Sequence, residues 1–180
     1  MVELRTERLV LREFREEDWP ALHAVESLPE VALYQHFDAR TPEESRSYVL
    51  GAIASAGEDP RDTYDLAVVL PDEERVIGRC GLAITDPDQR EAVLWYTLHP
   101  DAWGQGITTE AAHAVVGFAF RELNLHRIWA ECDPRNVGSW RVLVKIGMRR
   151  EGHVIANVLL KGEWCDSLMY AILDREWRPV

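Results

Sequence analysis

The chain has 180 residues, 47% of them hydrophobic, with only 11 glycines and 9 prolines, which predicts one folded domain over residues 1–180. Its formal net charge of −11 argues against a nucleic-acid partner, because a surface that follows phosphates needs to be basic. No apolar run approaches the length of a membrane span, and the first residues, MVELRTERL, carry charge where a signal peptide needs its apolar stretch. We therefore expect a cytoplasmic protein with no membrane partner.

The cysteines and histidines do not form a recognisable framework. Cys80, Cys132 and Cys165 have no C-x-x-C spacing, and each lies in an apolar stretch. The six histidines are scattered, without a pair at ligand spacing. We expect buried, reduced thiols and no metal site.

The first third of the chain predicts one strand and two helices around a long loop. Residues 8–14 alternate as a strand, and Asp18 begins a helix. Residues 28–40 have no clear period and are expected to form a loop. Thr41, with an acidic residue three positions on, forms a capping box for a second helix that reaches about residue 56.

The middle of the chain predicts a hairpin followed by a crossover. Residues 64–70 and 75–84 are two strands, and residues 91–98 have almost no polar alternation, which is typical of a strand covered on both faces. A helix over residues 107–124 then leads to a strand at 126–132. A crossover through a helix implies that these last two strands run parallel and open a cleft at their C-terminal ends.

A glycine turn separates the 91–98 strand from the helix after it. Gly104 and Gly106 bracket Gln105, so several backbone N–H groups are expected to point at one spot beside the helix N-terminus. Such a spot binds phosphate. The chain has no GK[ST] sequence, which argues against a P-loop, and Thr109 stands where the third glycine of a dinucleotide fingerprint belongs.

The stretch LHPDAWGQGITTEA resembles motif A of the GNAT superfamily of acyl-CoA-dependent N-acetyltransferases. WGQG followed by TEA is similar to the RimJ/RimL branch, which acetylates ribosomal-protein N-termini, and so are the opening TERLVLREFREEDWPAL and the closing Trp-x-Asp-Ser run. NVGSWRVLVKIGM is similar to motif B of the family. The resemblance implies an α+β GNAT fold: a mixed, mostly antiparallel sheet of about seven strands, splayed at an acetyl-CoA cleft and flanked by about four helices.

The resemblance also implies acetyl-CoA as co-substrate, with its pyrophosphate at the motif A turn. Trp103 stands where the family has Arg or Gln, and Thr108 where it has Gly or Ala. The Thr108 methyl group would crowd the phosphate, or its hydroxyl would add a hydrogen bond. The implied cofactor-binding residues are Leu98, Trp103, Gly104, Gln105, Gly106, Ile107, Thr108, Thr109, Asn136 and Ser139.

The mechanism implied by the resemblance is direct attack of a neutral amine on the thioester carbonyl. The backbone N–H of Leu98 would be the oxyanion donor. Leu143 stands where many relatives have a tyrosine that protonates the departing thiolate. Ser139, which the RimJ/RimL branch also has as serine, would take that role; alternatively it is an ordinary first-turn helix residue.

The general base is the point at which this sequence departs from the branch. Val93 occupies the position of the branch's glutamate. Glu91, two residues back and on the same strand face, is the nearest replacement, although a glutamate at a strand start is usually only solvated. His99 and Asp166 are the other candidates.

The implied fold brings the first loop to the acceptor channel. Tyr34, His36 and Phe37 would line that channel, with Asp166 nearby, or they would anchor a long loop. The expected acceptor is a primary amine, on a protein N-terminus or a small molecule. The alternative function is a catalytically inactive acyl-CoA-binding module, because the usual glutamate and tyrosine are missing. Seven tryptophans are many for one small core, which favours a surface such as that of a homodimer.

Overall fold

The computed structural model describes residues 1–179, which form eight strands and five α-helices. The helices are α1 (Trp19–Glu26), α2 (Pro29–Ala32), α3 (Pro42–Ala56), α4 (Ile107–Arg121) and α5 (Val137–Lys145). The strands are β1 (Glu3–Arg5), β2 (Val10–Glu13), β3 (Thr63–Leu70), β4 (Arg75–Asp86), β5 (Glu91–Leu98), β6 (Arg127–Cys132), β7 (Arg149–Leu160) and β8 (Glu163–Leu173).

The strands form one open sheet in the order β1-β2-β3-β4-β5-β6-β8-β7. Only the β5–β6 pair is parallel, and α4 makes the crossover between those two strands. The predicted mixed, mostly antiparallel sheet is confirmed. The eighth strand is β1, three residues that lie before the predicted 8–14 strand, and the fifth helix is α2, one turn within the segment predicted to be a loop.

Helices cover both faces of the sheet because its central strands are apolar on both sides. One face packs on α4 and α5 through a large cluster that includes Leu66, Leu82, Leu94, Val115, Ile128 and Leu143. The other face packs on α1 and α3 through a smaller cluster that includes Phe14, Leu22, Val49, Ala67 and Val69.

Local signals in the sequence fix the helix starts. Thr41 Oγ1 accepts from the N–H of Glu44 at 3.2 Å, and Glu44 Oε2 accepts from the N–H of Thr41 at 2.8 Å, so the predicted capping box of α3 is confirmed.

The three cysteines are free and buried, as expected. Within residues 1–179, no helix is long and apolar enough to cross a membrane.

Candidate active site

The site begins where β5 and β6 separate. These strands pair through only three residues each, ending at Val93 and Trp129. Beyond that point β5 continues beside β4 to Leu98, and β6 continues beside β8 to Cys132. A gap therefore opens between the C-terminal halves of two neighbouring strands, as the parallel crossover predicted.

Backbone groups of β5 face this gap without a ladder partner. The N–H of His99 donates to the carbonyl of Ile77 at 2.8 Å, which directs it toward β4. Because successive residues of a strand direct their N–H groups to opposite sides, the N–H of Leu98 points into the gap. The carbonyl of Leu98 points the same way and accepts from Trp103 Nε1 at 2.9 Å.

Two cavities lie at the gap and share one wall. The larger, of about 440 Å³, is lined by Leu98, Trp103, Gly104, Thr108 and Val142, among others. The smaller, of about 210 Å³, is lined by His36, Trp95, Glu131, Cys132, Asp166 and Ser167, among others. The residues common to both are Tyr34, Gln35, Tyr96, Asn136 and Ser139.

The glycine turn exposes the N-terminus of α4. Gly104 and Gly106 have φ of 73° and 79°, a left-handed conformation that favours glycine. Gly106 is the N-cap and provides no side-chain cap, so within residues 1–179 the first N–H groups of α4 have no acceptor. A Cβ added at Gly104 would meet nothing within 4 Å, and one at Gly106 would meet only Arg8 Nη2, at 3.6 Å. An anion can therefore approach these amides.

Arg8 holds this turn in place, and sequence reasoning missed it as a site residue. Its Nη1 donates to the carbonyl of Gln105 at 3.0 Å, and its Nε donates to Glu110 Oε2 at 2.7 Å. Thr6 Oγ1 donates to the other oxygen of Glu110 at 2.6 Å. The resembling segments TERL and TEA thus meet in space, which a pattern along the chain does not reveal.

Not every residue of the motif A turn contributes a side chain to the larger cavity. Trp103, Gly104 and Thr108 line it. The side chain of Ile107 is instead buried in the core, and Gln105 turns outward, where its amide donates to the carbonyl of Asp101. These two residues can offer only their backbone to a ligand.

Ser139 lies in the shared wall, in contact with Tyr96. The side chain of Asn136 caps α5 by accepting from the N–H of Ser139 at 3.1 Å. Tyr96 Oη donates to the carbonyl oxygen of Ser139 at 2.9 Å and lies 3.0 Å from Ser139 Oγ. Burial raises the pKa of Tyr96, so its hydroxyl stays protonated. Sequence reasoning missed Tyr96, although alternation along β5 puts it on the face of Leu98.

Two of the three predicted bases lie away from the cavities. Glu91 is at the closed end of the gap, where β5 and β6 still pair, and its carboxylate accepts from Arg127 Nε at 2.8 Å. The position of Glu91 therefore does not favour it as the replacement for the missing glutamate. His99 Nδ1 accepts from the N–H of Asp101 at 3.2 Å. Neither residue lines the two cavities.

Asp166, the third candidate, lines the smaller cavity, but its carboxylate already has hydrogen-bond partners. Its Oδ1 accepts from the N–H of Ala156 at 2.9 Å, and its Oδ2 lies 2.8 Å from His153 Nε2. These contacts, first the Ala156 N–H and then His153, lower the pKa of Asp166. A carboxylate held in this way is a weak proton acceptor.

The first loop reaches the smaller cavity with two of its three predicted residues. Tyr34 and His36 line it. Phe37 does not: its ring stacks under the Arg40 guanidinium, 4.4 Å from the ring centroid, and its carbonyl accepts from Lys161 Nζ at 2.9 Å. These contacts anchor Phe37 within the loop.

A buried ion network connects the end of this loop to the sheet. Arg79 Nε lies 2.6 Å from Glu26 Oε1, and Arg40 Nε lies 2.7 Å from Glu26 Oε2. Asp65 accepts from Trp95 Nε1 at 3.2 Å and lies 3.8 Å from Arg79 Nη1. The network therefore ties the loop that carries Tyr34 to Trp95 on the other side of the smaller cavity.

Comparisons with known proteins agree with this geometry. Residues 8–149 match the acetyltransferase (GNAT) domain. YnaD of Bacillus subtilis strain 168, an uncharacterized N-acetyltransferase, is 34% identical over 97% of this chain and 98% of its own. A GNAT-family acetyltransferase from Bacillus anthracis has a crystal structure with a TM-score of 0.87 and 31% identity, covering 97% of this chain and all of that one. The ribosomal protein uS5-alanine N-acetyltransferase of Escherichia coli K12 is 28% identical, over 61% of this chain and 57% of its own.

The chain belongs to the GNAT family of acetyltransferases. The ribosomal-protein acetyltransferase among its relatives confirms the resemblance to the RimJ/RimL branch. GNAT domains use acetyl-CoA. Among residues 1–179, no group of three or more His, Cys, Asp or Glu side chains is arranged to hold a metal ion.

Proposed function

We propose that this chain transfers an acetyl group from acetyl-CoA to a primary amine by direct attack in a ternary complex, as one domain spanning residues 1–180. The observation that carries the proposal is the wall common to the two cavities, which includes Tyr96 and Ser139. A thioester in the larger cavity can meet an amine in the smaller one at this wall. Holding both reactants there removes most of the entropic cost of bringing them together.

The larger cavity suits the coenzyme. Its volume of about 440 Å³ is that of an ordinary ligand site. The free N–H groups at the start of α4, after Gly106, together with the positive end of the helix dipole, would hold the pyrophosphate. The gap side of β5 would receive the pantetheine arm, with Asn136 opposite.

A backbone N–H and a hydroxyl group would stabilise the carbonyl oxygen and the sulfur of the thioester. The N–H of Leu98 would donate to the carbonyl oxygen as negative charge develops on it. Ser139 Oγ, supported by Tyr96 Oη, would protonate the departing thiolate. Leu98 and Ser139 both line the larger cavity, and Ser139 also lines the smaller one.

Direct transfer is favoured over an acyl-cysteine intermediate. Cys132 lines the smaller cavity, but burial raises the pKa of its thiol to about 11. At neutral pH this thiol is protonated and is a poor nucleophile.

The proposal is tested by incubating the chain with acetyl-CoA and a panel of amines while free thiol is followed. The panel contains peptides with N-terminal alanine or serine, a polyamine, an amino acid and an aromatic amine. The three cysteines are buried, so their background with a thiol reagent should be low. We expect thiol release above acetyl-CoA hydrolysis with at least one amine, and an acetylated product by mass spectrometry.

The uS5-alanine specificity named for the E. coli relative supports a protein N-terminus, whereas the volume of the smaller cavity, about 210 Å³, also suits a small amine. The panel separates these two acceptor classes. Tight acetyl-CoA binding without thiol release for any amine would contradict the proposal and support the inactive acyl-CoA-binding module.

A further inference from the structure

Glu131 stands across the gap from Trp95. The last pair of the parallel ladder is Val93 with Trp129. Two residues further along each strand, on the same face, come Trp95 on β5 and Glu131 on β6. Both line the smaller cavity. Glu131 therefore lies on the same face of the sheet as Val93. It is on the neighbouring strand, two residues nearer the open end of the gap.

Glu131 is also the carboxylate of this cavity that is free to react. Asp133 accepts from Arg135 Nη2 at 2.6 Å, and this contact lowers the pKa of Asp133. Asp166 is held by Ala156 and His153. Within residues 1–179, the carboxylate of Glu131 is exposed and has neither an ion-pair nor a hydrogen-bond partner.

The carboxylate of Glu131, unpaired in the described part of the chain, favours a cation in this cavity. Among the described residues that line it are three carboxylates, and none of the lining residues is Lys or Arg. The indole of Trp95 adds an aromatic face that attracts an ammonium group. An alkylammonium acceptor is therefore stabilised here in the charged form, which must lose a proton before it can attack.

We propose that Glu131 is the general base of this enzyme and that the acceptor is a cationic alkylammonium. Glu131, which lies on β6, would take the role of the glutamate that the RimJ/RimL branch has on β5 at the position of Val93. This inference rests on the proposed acetyl transfer. One ammonium proton passes to Glu131 and then to solvent. The nitrogen lone pair forms the C–N bond, and the C–S bond breaks.

The proton balance closes without another reactant. As the amide forms, the attacking nitrogen gives its second proton to Glu131, whose first has already passed to solvent. Ser139 Oγ protonates the thiolate and regains its proton from solvent. The third proton stays on the amide nitrogen. The products are one amide, one thiol and one proton in solution.

The test compares Glu131→Gln with the wild-type chain on two matched acceptors. One is an alkylamine that the wild type acetylates, which is protonated at neutral pH. The other is its O-alkylhydroxylamine analogue, in which oxygen replaces the carbon next to nitrogen, so that the amine is already neutral. Glu122→Gln, on an exposed residue at the C-cap of α4, is the control.

We expect Glu131→Gln to lower kcat/KM for the alkylamine by roughly 10²- to 10⁴-fold, and to change it little for the hydroxylamine. The remaining alkylamine activity should rise with pH up to the pKa of the amine, and the acetyl-CoA Kd should not change. Equal losses on both acceptors, or no loss on either, would overturn the role of Glu131. Absence of transfer by the wild type would instead overturn the proposed function, and this role with it.

Discussion

Tyr96 Oη lies 3.0 Å from Ser139 Oγ, and it also donates to the carbonyl oxygen of the same serine. The two residues come from β5 and α5, the elements on either side of the larger cavity. Both residues line both cavities. The two hydroxyls therefore form one unit at the point where the thioester and the amine would meet.

We predict that Ser139→Ala lowers kcat by roughly 10- to 10⁴-fold, because the departing thiolate loses its proton donor, while the acetyl-CoA Kd barely changes. Ser47→Ala, on an exposed residue of α3, is the control and should keep full activity. Tyr96→Phe should also lower kcat, and the double variant should lose less than the product of the two single losses. An unchanged kcat and pH profile for Ser139→Ala would show that Ser139 is only a helix residue.

Gly106→Val should raise the acetyl-CoA Kd by roughly 10²-fold or more, because a branched side chain covers the amides that would hold the pyrophosphate. The matched control is Gly162→Val in the β7–β8 turn. Both glycines have left-handed φ, 79° and 84°, so both variants should lose about 1–2 kcal/mol of stability. Only Gly106→Val should weaken binding in a titration, and equal affinities for the two variants would contradict the assignment of the turn.

Glu110→Gln should make the chain less stable near neutral pH but not in acid. Burial raises the pKa of Glu110, but the hydrogen bonds from Thr6 and Arg8 outweigh it and hold that pKa below its usual range. Stability from a lowered pKa is fully present above the unfolded value, about 4.3, and is lost as pH falls through the folded value.

Urea unfolding should therefore show a loss of about 1–2 kcal/mol for Glu110→Gln near neutral pH, and a difference that shrinks as the pH falls below about 4. Glu43→Gln, in the first turn of α3, changes a comparable but exposed carboxylate and should have little effect at either pH. A loss for Glu110→Gln that is independent of pH would contradict the ionic character of the contact.

Arg79→Met should destabilise the chain by about 3–5 kcal/mol, because it leaves the buried charge of Asp65 without a counter-ion and that of Glu26 with Arg40 alone. Arg75→Met on the same strand breaks only an exposed pair with Glu73 and should cost at most about 1 kcal/mol. Comparable losses of unfolding free energy for the two variants would show that the network contributes no more than a surface salt bridge.

Local signals predicted most of the fold. The cap at Thr41, the glycines of the motif A turn and the crossover through α4 each depend on residues close together in the chain, and the structure contains all three. The two missed elements, β1 and α2, are three and four residues long, too short for a periodic pattern.

The homodimer stays a prediction. Trp164 is exposed, with 64% of its surface accessible, as a dimer surface would need.

The site was harder to predict because its contacts join distant segments. Arg8 meets Glu110, 102 residues away, and Tyr96 meets Ser139, 43 residues away. Glu91 shares a strand face with Trp95, so alternation alone favoured it. The place where β5 and β6 stop pairing, which a sequence pattern does not contain, excludes Glu91 from the cavity and brings Glu131 to it.

The most direct test of the ternary-complex account is an initial-rate study of thiol release in which acetyl-CoA and the best amine of the panel are both varied. Direct attack at the wall formed by Tyr96 and Ser139 predicts double-reciprocal lines that intersect, and no burst of free thiol when the amine is left out. Parallel lines with a stoichiometric burst in the absence of amine would contradict the account, because they require an acetylated enzyme, for which Cys132 would be the nearest nucleophile.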